Sequence, residues 1–423
     1  MAQRLPWEIL FLVFENLAAN LLEQDHIKDL RNLLFVSKIV QKRVEPFLYE
    51  EFHLEGDYDG PPGSEPRKAM DSTSPLLCRT ILTRPELGGY VKKISMEQSQ
   101  VTPLDLQCWD YGYDSSEEEP EPPFRPAELD AARAFMEGKF RPDKAKDHWL
   151  QTIKDPNEVG QAAMQGLLLC HLPNLASLTL TLHSGMFGHI GTFLQLPYLE
   201  ELSLTIDMGD ENDWSKDSLE EPEDILESIL SGTQKIKKLV FDHYRNVCAP
   251  IIFDGANLKR ILDHHVAETV EELSITLSLS DRKDWRMPQE YARHTGVFGS
   301  MTHFTKLQTL SIQLELLLGE PWANPHHLKD VLPNQLQSLT CFSLHSYSRH
   351  DDDGRIWDWE SCFPEFQFLA NAAQDGLAFP SLDQVDLVAY RNDDFNKYSG
   401  YHDSSGTFKE EGLADSRIAF SWY

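Results

Sequence analysis

The chain has 423 residues, of which 41% are hydrophobic and 10% aromatic, so it holds enough apolar material for more than one compact core. Its 68 acidic residues outnumber its 38 Lys and Arg residues, which gives a net charge of −30. This excess argues against direct nucleic-acid binding, because phosphate contacts need clustered Lys and Arg. The six scattered Cys residues form no CxxC pair. We therefore expect neither a disulfide scaffold nor a zinc site, and no cofactor.

The first fifty residues carry the most specific pattern in the sequence. Pro6 lies where the first residue of a helix would, and apolar residues then follow at helical spacing. These residues are Ile9, Leu10, Val13, Phe14 and Leu17. A second stretch continues with Asp29, Leu30, Leu33, Val36, Ser37 and Lys38, and the pattern closes with Pro46, Phe47, Leu48 and Tyr49.

This pattern resembles an F-box, which opens with Leu-Pro-x-Glu-Ile/Leu-Leu and in fungal members ends with Pro-x-Leu-Tyr/Trp. The resemblance implies a three-helix module over residues 1–54 that docks on the Skp adaptor, and through it on a cullin. The positions that match the family's docking residues are Leu5, Pro6, Ile9, Leu10, Val13, Phe14, Leu33 and Val36. Residues 18–27 form a longer connection than the family has. An ordinary amphipathic N-terminal helix is the alternative interpretation.

Residues 55–74 are rich in Gly, Pro, Ser and Asp and are predicted to be a linker. Residues 75–170 are predicted to contain a first repeat-like unit, with a strand over 91–96, and helices over 127–139 and 155–170. The acidic segment 110–123 cannot bury enough apolar surface to offset its chain entropy, so we expect it to be disordered.

A Leu-x-x-Leu-x-Leu pattern then recurs seven times, with helices expected between the copies. Its central residues are Leu178, Leu202, Leu239, Leu273, Leu310, Leu339 and Val385. This resembles the irregular leucine-rich repeats that often follow an F-box, although the Asn of the strict repeat is missing. The expected fold class is therefore an α/β repeat, with an N-terminal three-helix F-box followed by an irregular leucine-rich-repeat-like solenoid over 171–390. Residues 391–423 are expected to be a loop and tail, of which residues 417–423 are either a final strand or a loose end.

Side chains alternate along a strand, so the residues between the buried positions should form an exposed face. Thr179, Thr181, Asp242 and Asp386 are candidate target-binding residues on that face, with Trp357 and Trp359 as aromatic anchors beside it. Its other predicted members are Ser203, Thr205, Val240, Ser274, Thr276, Ser311, Gln313 and Val388. Its carboxylates should favour a partner that presents Lys or Arg. Solvated strand positions are the alternative for any single residue.

No catalytic or metal-binding motif of the usual kinds is present, so a non-catalytic protein is expected. The leading hypothesis is the substrate-recognition subunit of a Skp–cullin–F-box ubiquitin ligase, with an F-box scaffold outside a ligase as the alternative. An enzyme built from the C-terminal loops is a third hypothesis. The apolar run 9–14 is too short for a secretion signal and no run is long enough for a membrane helix. We therefore expect a cytoplasmic or nuclear protein.

Overall fold

The computed structural model describes Asn32 and residues 34–55, 73–97, 126–139, 165–182, 194–207, 222–245, 251–279, 292–295, 297–318, 327–343, 359–376, 378–389 and 418–422. Leu5, Pro6, Ile9, Leu10, Val13, Phe14, Leu33 and Trp357 lie outside the described residues, as do most of the predicted linker and the whole acidic segment 110–123. The chain divides into two compact units. Unit 1 holds Met1–Leu180 and His189–Leu199, and unit 2 holds Thr181–Gly188 and Glu200–Tyr423.

Unit 1 contains three parallel strands in the order β1-β2-β3, together with several helices. Its elements are α1 (Lys38–Leu48), β1 (Glu51–Glu55), α2 (Thr73–Thr83), a 3-10 helix (Pro85–Tyr90), β2 (Lys93–Glu97), α3 (Pro126–Lys139) and β3 (Ser177–Leu182), whose last two residues belong to unit 2. Ser37 caps α1, because its hydroxyl accepts a hydrogen bond of 3.2 Å from the amide of Val40. The strand predicted over 91–96 is confirmed as β2.

Two contacts fix α1 and the 3-10 helix within unit 1. Glu45 of α1 is buried, and its carboxylate accepts hydrogen bonds of 2.9 Å from Arg84 and 2.9 Å from Gln41. Gly88 lies against the backbone of His171, where an added Cβ would come within 2.2 Å of the carbonyl oxygen. Only glycine permits this approach, so the 3-10 helix packs directly on the chain that leads into β3.

Unit 2 contains seven parallel strands whose order follows the chain, β4-β5-β7-β9-β10-β11-β12, and a separate parallel pair, β6-β8. The strands are β4 (Glu201–Asp207), β5 (Lys238–Arg245), β6 (Ile251–Asp254), β7 (Glu272–Leu279), β8 (Ala292–Thr295), β9 (Thr309–Gln313), β10 (Ser338–Ser343), β11 (Gln384–Ala389) and β12 (Ala419–Trp422). The helices are α4 (Pro222–Ser231), α5 (Gly255–His265), α6 (Leu314–Leu318), α7 (Leu328–Val331) and α8 (Trp359–Gln374). Helix α4 packs against α5, and α7 against α8.

The predicted strands are confirmed because alternate residues of each Leu-x-x-Leu-x-Leu copy are buried. In register across unit 2 lie Leu202, Leu239, Leu273, Leu310, Leu339 and Val385, each at most 1% exposed. A second buried row is formed by Leu204, Phe241, Ile275, Ile312, Cys341 and Leu387. Burying one such side chain contributes about 1.5–3 kcal/mol, so these two rows are the main core of the sheet.

At the starts of β2, β3, β5, β7, β9, β10 and β11, two successive amides donate to one carbonyl at the start of the neighbouring strand. The Glu200 carbonyl accepts from Lys237 and Lys238 at 2.8 and 3.0 Å, and the Lys237 carbonyl accepts from Glu271 and Glu272 at 2.7 and 2.9 Å. The same arrangement recurs at Glu271, Gln308 and Gln337 in unit 2 and at Glu50 and Lys92 in unit 1. These bonds fix where each strand begins relative to its neighbour.

Side-chain charges support the same alignment on β4, β5 and β7. Lys237 donates to Glu200 at 2.8 Å, and Lys238 pairs with Glu272 at 2.9 Å. The hydrogen bond from Lys237 lowers the pKa of Glu200, and the bond to Glu200 raises the pKa of Lys237. These glutamates are therefore exposed ion-pair partners at the strand starts.

The expected fold class, a three-helix F-box followed by an irregular leucine-rich-repeat-like solenoid, is wrong. The described strands form an all-parallel sheet with few, unequal helices, which range from four to sixteen residues. Of the N-terminal module, α1 is the helix that the described residues contain. The solenoid expectation failed for a physical reason. The Leu-x-x-Leu-x-Leu pattern indicates only a strand with alternate residues buried. It carries no information about a repeated helix.

The close approach at Gly88 predicts that Gly88→Ala destabilises the protein by about 1–3 kcal/mol, as overpacking against a fixed backbone does. Gly89→Ala is the matched control, because its added Cβ would meet only the Asn174 amide nitrogen at 3.8 Å. Urea unfolding measures both variants. Equal midpoints for the two would show that the 3-10 helix does not lie against His171.

The buried rows predict that Leu310→Ala lowers the free energy of unfolding by about 2–5 kcal/mol, because it leaves a cavity in the central strand β9. Its neighbour Ser311 is partly exposed, and Ser311→Ala should change stability by less than about 0.5 kcal/mol. Denaturant midpoints of the two variants provide the comparison. A Leu310→Ala midpoint close to that of Ser311→Ala would contradict the assignment of Leu310 to the core.

Candidate functional site

The side of the unit 2 sheet opposite the two buried rows is the first candidate surface, and we call it the outer face. We define it by the described residues Ser203, Thr205, Val240, Asp242, Ser274, Thr276, Ser311, Thr340, Phe342, Asp386 and Val388, all of which are partly exposed. Strand register places Val240, Ser274, Ser311, Thr340 and Asp386 in one row across β5, β7, β9, β10 and β11. The outer face is therefore small and polar, with carboxylates at two positions.

Asp242 and Asp386 both lie on this outer face, as the sequence pattern predicts, but they are not close together. Four strand steps separate β5 from β11, which is roughly 19 Å at the usual spacing of parallel strands. Thr179 and Thr181 are partly exposed on β3, where Thr179 is in register with Ser95 of β2. Trp359 is the first residue of α8, outside the strands. The structure thus distributes the predicted target-binding residues over several elements.

Gln313 departs from its predicted position on the exposed face, because its side chain is fully buried. The cause is that β9 ends at Gln313 and the chain enters α6 at the next residue. Leu314, Leu316 and Leu317 of that helix are themselves at most 1% exposed. The regular alternation of the strand therefore stops one residue before the pattern predicts.

The β10–β11 end of the outer face combines a carboxylate with apolar side chains. Asp386 is in register with Thr340, and two residues further along the strands Phe342 is in register with Val388. The Asp386 Oδ2 atom accepts a hydrogen bond of 2.7 Å from the side-chain amide of Gln384, which is exposed. The Oδ1 atom of the same carboxylate is buried and has no hydrogen-bond partner. This corner is thus the most polarised part of the outer face.

The second candidate surface is the apolar patch, which we define as Phe35, Val36 and Ile39 at the start of α1. Their side chains are 87%, 66% and 62% exposed. Val36 is one of the predicted adaptor-binding residues, whereas Phe35 and Ile39 were not predicted. Phe35 and Val36 lie in the turn before α1, and Ile39 lies in the first turn of that helix. Exposed apolar clusters of this kind mark interaction sites.

A polar cluster on α4, α5 and the segment before β9 is the third group of side chains considered. Arg260 binds Glu227 through two hydrogen bonds of 3.0 and 2.9 Å, which lower the pKa of Glu227. Asp263 accepts a hydrogen bond of 2.6 Å from Lys259 and lies 2.8 Å from His303. Both carboxylates are held by cations, so the cluster joins α4 to α5 and does not resemble a general acid–base site.

His265 in this cluster is the histidine that burial perturbs. Burial lowers its pKa, and the neighbouring His264 lowers it further, while Glu227 acts in the opposite direction. The rings of the two histidines lie 4.6 Å apart. The folded protein therefore resists protonation of His265 more than the unfolded chain does.

Comparisons with known proteins identify no relative. No protein family matches the chain, no curated protein is similar to it, and no solved structure matches its fold. Within the described ranges, no group of three His, Cys, Asp or Glu side chains is placed to hold a metal ion. Across those ranges, none of the helices has the length and apolar character required to cross a bilayer. The function must therefore be argued from the two surfaces themselves.

The lowered pKa of His265 predicts a specific loss of stability in mild acid. Below the ordinary histidine pKa of about 6.5, the unfolded chain binds more protons at this position than the folded protein does. Protonation therefore costs no stability above pH 6.5 and lowers stability increasingly as the pH falls below it. His265→Gln should therefore reduce the loss of unfolding free energy between pH 7 and pH 5. His53→Gln, at an exposed position, is the control and should retain the wild-type loss. An unchanged pH profile for His265→Gln would contradict the prediction.

Proposed function

We propose that the protein is the substrate-recognition subunit of a Skp–cullin–F-box ubiquitin ligase, in which the F-box-like segment binds the Skp adaptor and the outer face binds a target protein. The observation that carries this proposal is the apolar patch inside the segment whose sequence resembles an F-box. Three adjacent large apolar side chains in water are unfavourable unless a partner covers them. The adaptor is the partner that the sequence resemblance implies.

The support of α1 favours a preformed docking surface. The Ser37 cap lies between Val36 and the first turn of the helix, next to the patch. At the other end of α1, the buried Glu45 binds Arg84 at 2.9 Å. Ile39 belongs to a helix that is held at both ends and loses little further freedom on binding, so it is suited to a partner interface.

In this proposal the protein performs no chemistry itself. It would hold a target near a ubiquitin-conjugating enzyme, so that transfer becomes effectively intramolecular. Asp242 and Asp386 supply negative charge to the outer face, which favours a target that presents Lys or Arg. An F-box scaffold that recruits no cullin is the alternative function.

The patch predicts that Phe35→Ser with Val36→Ser weakens binding to a purified Skp adaptor by about 2 kcal/mol or more, roughly thirtyfold in Kd. Folding should be unaffected, because both side chains are already in water. Phe368→Ser is the matched control, since Phe368 is 46% exposed on α8 of unit 2 and should leave adaptor binding unchanged. Calorimetric titration of the full chain with the adaptor gives the three affinities.

Leu5→Ala with Pro6→Ala tests the F-box resemblance in the same assay and should also weaken adaptor binding. If neither double variant changes the affinity, or if the wild-type chain does not bind the adaptor, the proposed function is wrong. Immunoblotting for a cullin in the adaptor complex separates the two functions. If the protein is a ligase subunit, the cullin is detected together with the adaptor. If it is a scaffold, the adaptor is detected without the cullin.

A further inference from the structure

The corner of the outer face on β10 and β11 contains a carboxylate whose hydrogen bonds are incomplete. Asp386 Oδ1 is buried without a hydrogen-bond partner, while Oδ2 accepts from Gln384 at 2.7 Å. A carboxylate oxygen removed from water without a donor is energetically costly. Proteins retain such groups where a ligand completes them.

Gln384 binds Asp386 through one hydrogen bond, and a ligand can replace that bond. The two residues lie on the same face of β11, two positions apart, and the Gln384 side chain is exposed. Its amide supplies one donor to one carboxylate oxygen. A guanidinium group in its place supplies charged N–H donors in a planar fork, which bind a carboxylate more strongly than one neutral amide does.

The surroundings of Asp386 fit the rest of an arginine side chain. Phe342 and Val388 are partly exposed, in register with each other, and two positions along their strands from Thr340 and Asp386. Two residues along a strand span roughly 6.6 Å, which an arginine stem can cover. The Phe342 ring also offers a face that favours a cation.

The charges of the outer face point to the same kind of ligand. On β4, β5, β7, β9, β10 and β11, the described positions that alternate with the two buried rows include one cation, Lys238, which is paired with Glu272 at 2.9 Å. No described cation on this face therefore competes for Asp386. A basic side chain from a partner would therefore meet the negative charge of Asp386.

We infer that Asp386, Phe342 and Val388 form a binding site for one arginine side chain of a partner protein, which displaces Gln384 from the carboxylate. The inference rests on the proposed function, since the partner is the target that the receptor holds. It also makes the outer face selective, because an arginine is the anchor that the target presents. Lysine would bind more weakly, since it offers a point charge in place of a planar fork.

The test uses Nα-acetyl-arginine amide as the probe and Nα-acetyl-citrulline amide as its neutral counterpart. Binding to the full chain is followed through the methyl NMR signals of Val388. We expect saturable shifts with the arginine probe and at least about tenfold weaker binding of the citrulline probe, since a hydrogen-bonded charge is lost. Asp386→Asn should weaken arginine binding by a similar factor.

Two further variants distinguish the site from general attraction to an acidic protein. Asp383→Asn removes the same charge from an exposed position beside β11 and should leave arginine binding unchanged. Gln384→Ala removes the competing amide and should tighten arginine binding, which a loss of folding would not do. Equal binding of the two probes, or equal effects of Asp386→Asn and Asp383→Asn, would overturn the inference.

The adaptor titration is run on the same proteins. Asp386→Asn should bind the Skp adaptor with wild-type affinity, because Asp386 lies in unit 2 and the apolar patch in unit 1. If the arginine probe binds as expected while the wild-type chain fails to bind the adaptor, the proposed function is wrong and the arginine site stands. If the adaptor binds and the probe does not, the arginine site is wrong.

Discussion

The register of most of the parallel strands depends on one repeated interaction, in which two successive amides at a strand start donate to a single carbonyl of the strand before it. Glu200, Lys237 and Glu271 supply such carbonyls in unit 2, and Glu50 and Lys92 supply them in unit 1. A strand displaced by one residue would turn its leucines towards the outer face. These hydrogen bonds therefore decide which side chains form the core and which remain available to a partner.

The functional argument follows from that register and from the exposure of α1. Alignment of the strands places Asp386 beside Thr340 and puts Phe342 beside Val388, which creates a carboxylate and an apolar surface within reach of one side chain. The apolar patch at the start of α1 belongs to unit 1 and contains no carboxylate. The two surfaces differ in chemistry, which is the arrangement that a receptor with one adaptor and one target needs.

The sequence predicted the strands well, because alternation of buried residues is a local property that each Leu-x-x-Leu-x-Leu copy displays by itself. It failed on the fold class, since the helices between strands range from α7 with four residues to α8 with sixteen and form no regular unit. Gln313 shows a second limit. Its burial depends on where β9 gives way to α6, which strand alternation does not report.

The candidate surfaces were predictable only in part for the same reason. The outward positions of Asp242 and Asp386 follow from parity within one strand. The missing hydrogen bond of Asp386 Oδ1 and the pairing of Phe342 with Val388 depend on neighbours far away in sequence.

The most direct test of the register is amide hydrogen exchange at Lys238, Glu272, Thr309 and Ser338. The account predicts strong protection at all four amides, and exchange at the rate of an unstructured peptide would contradict it.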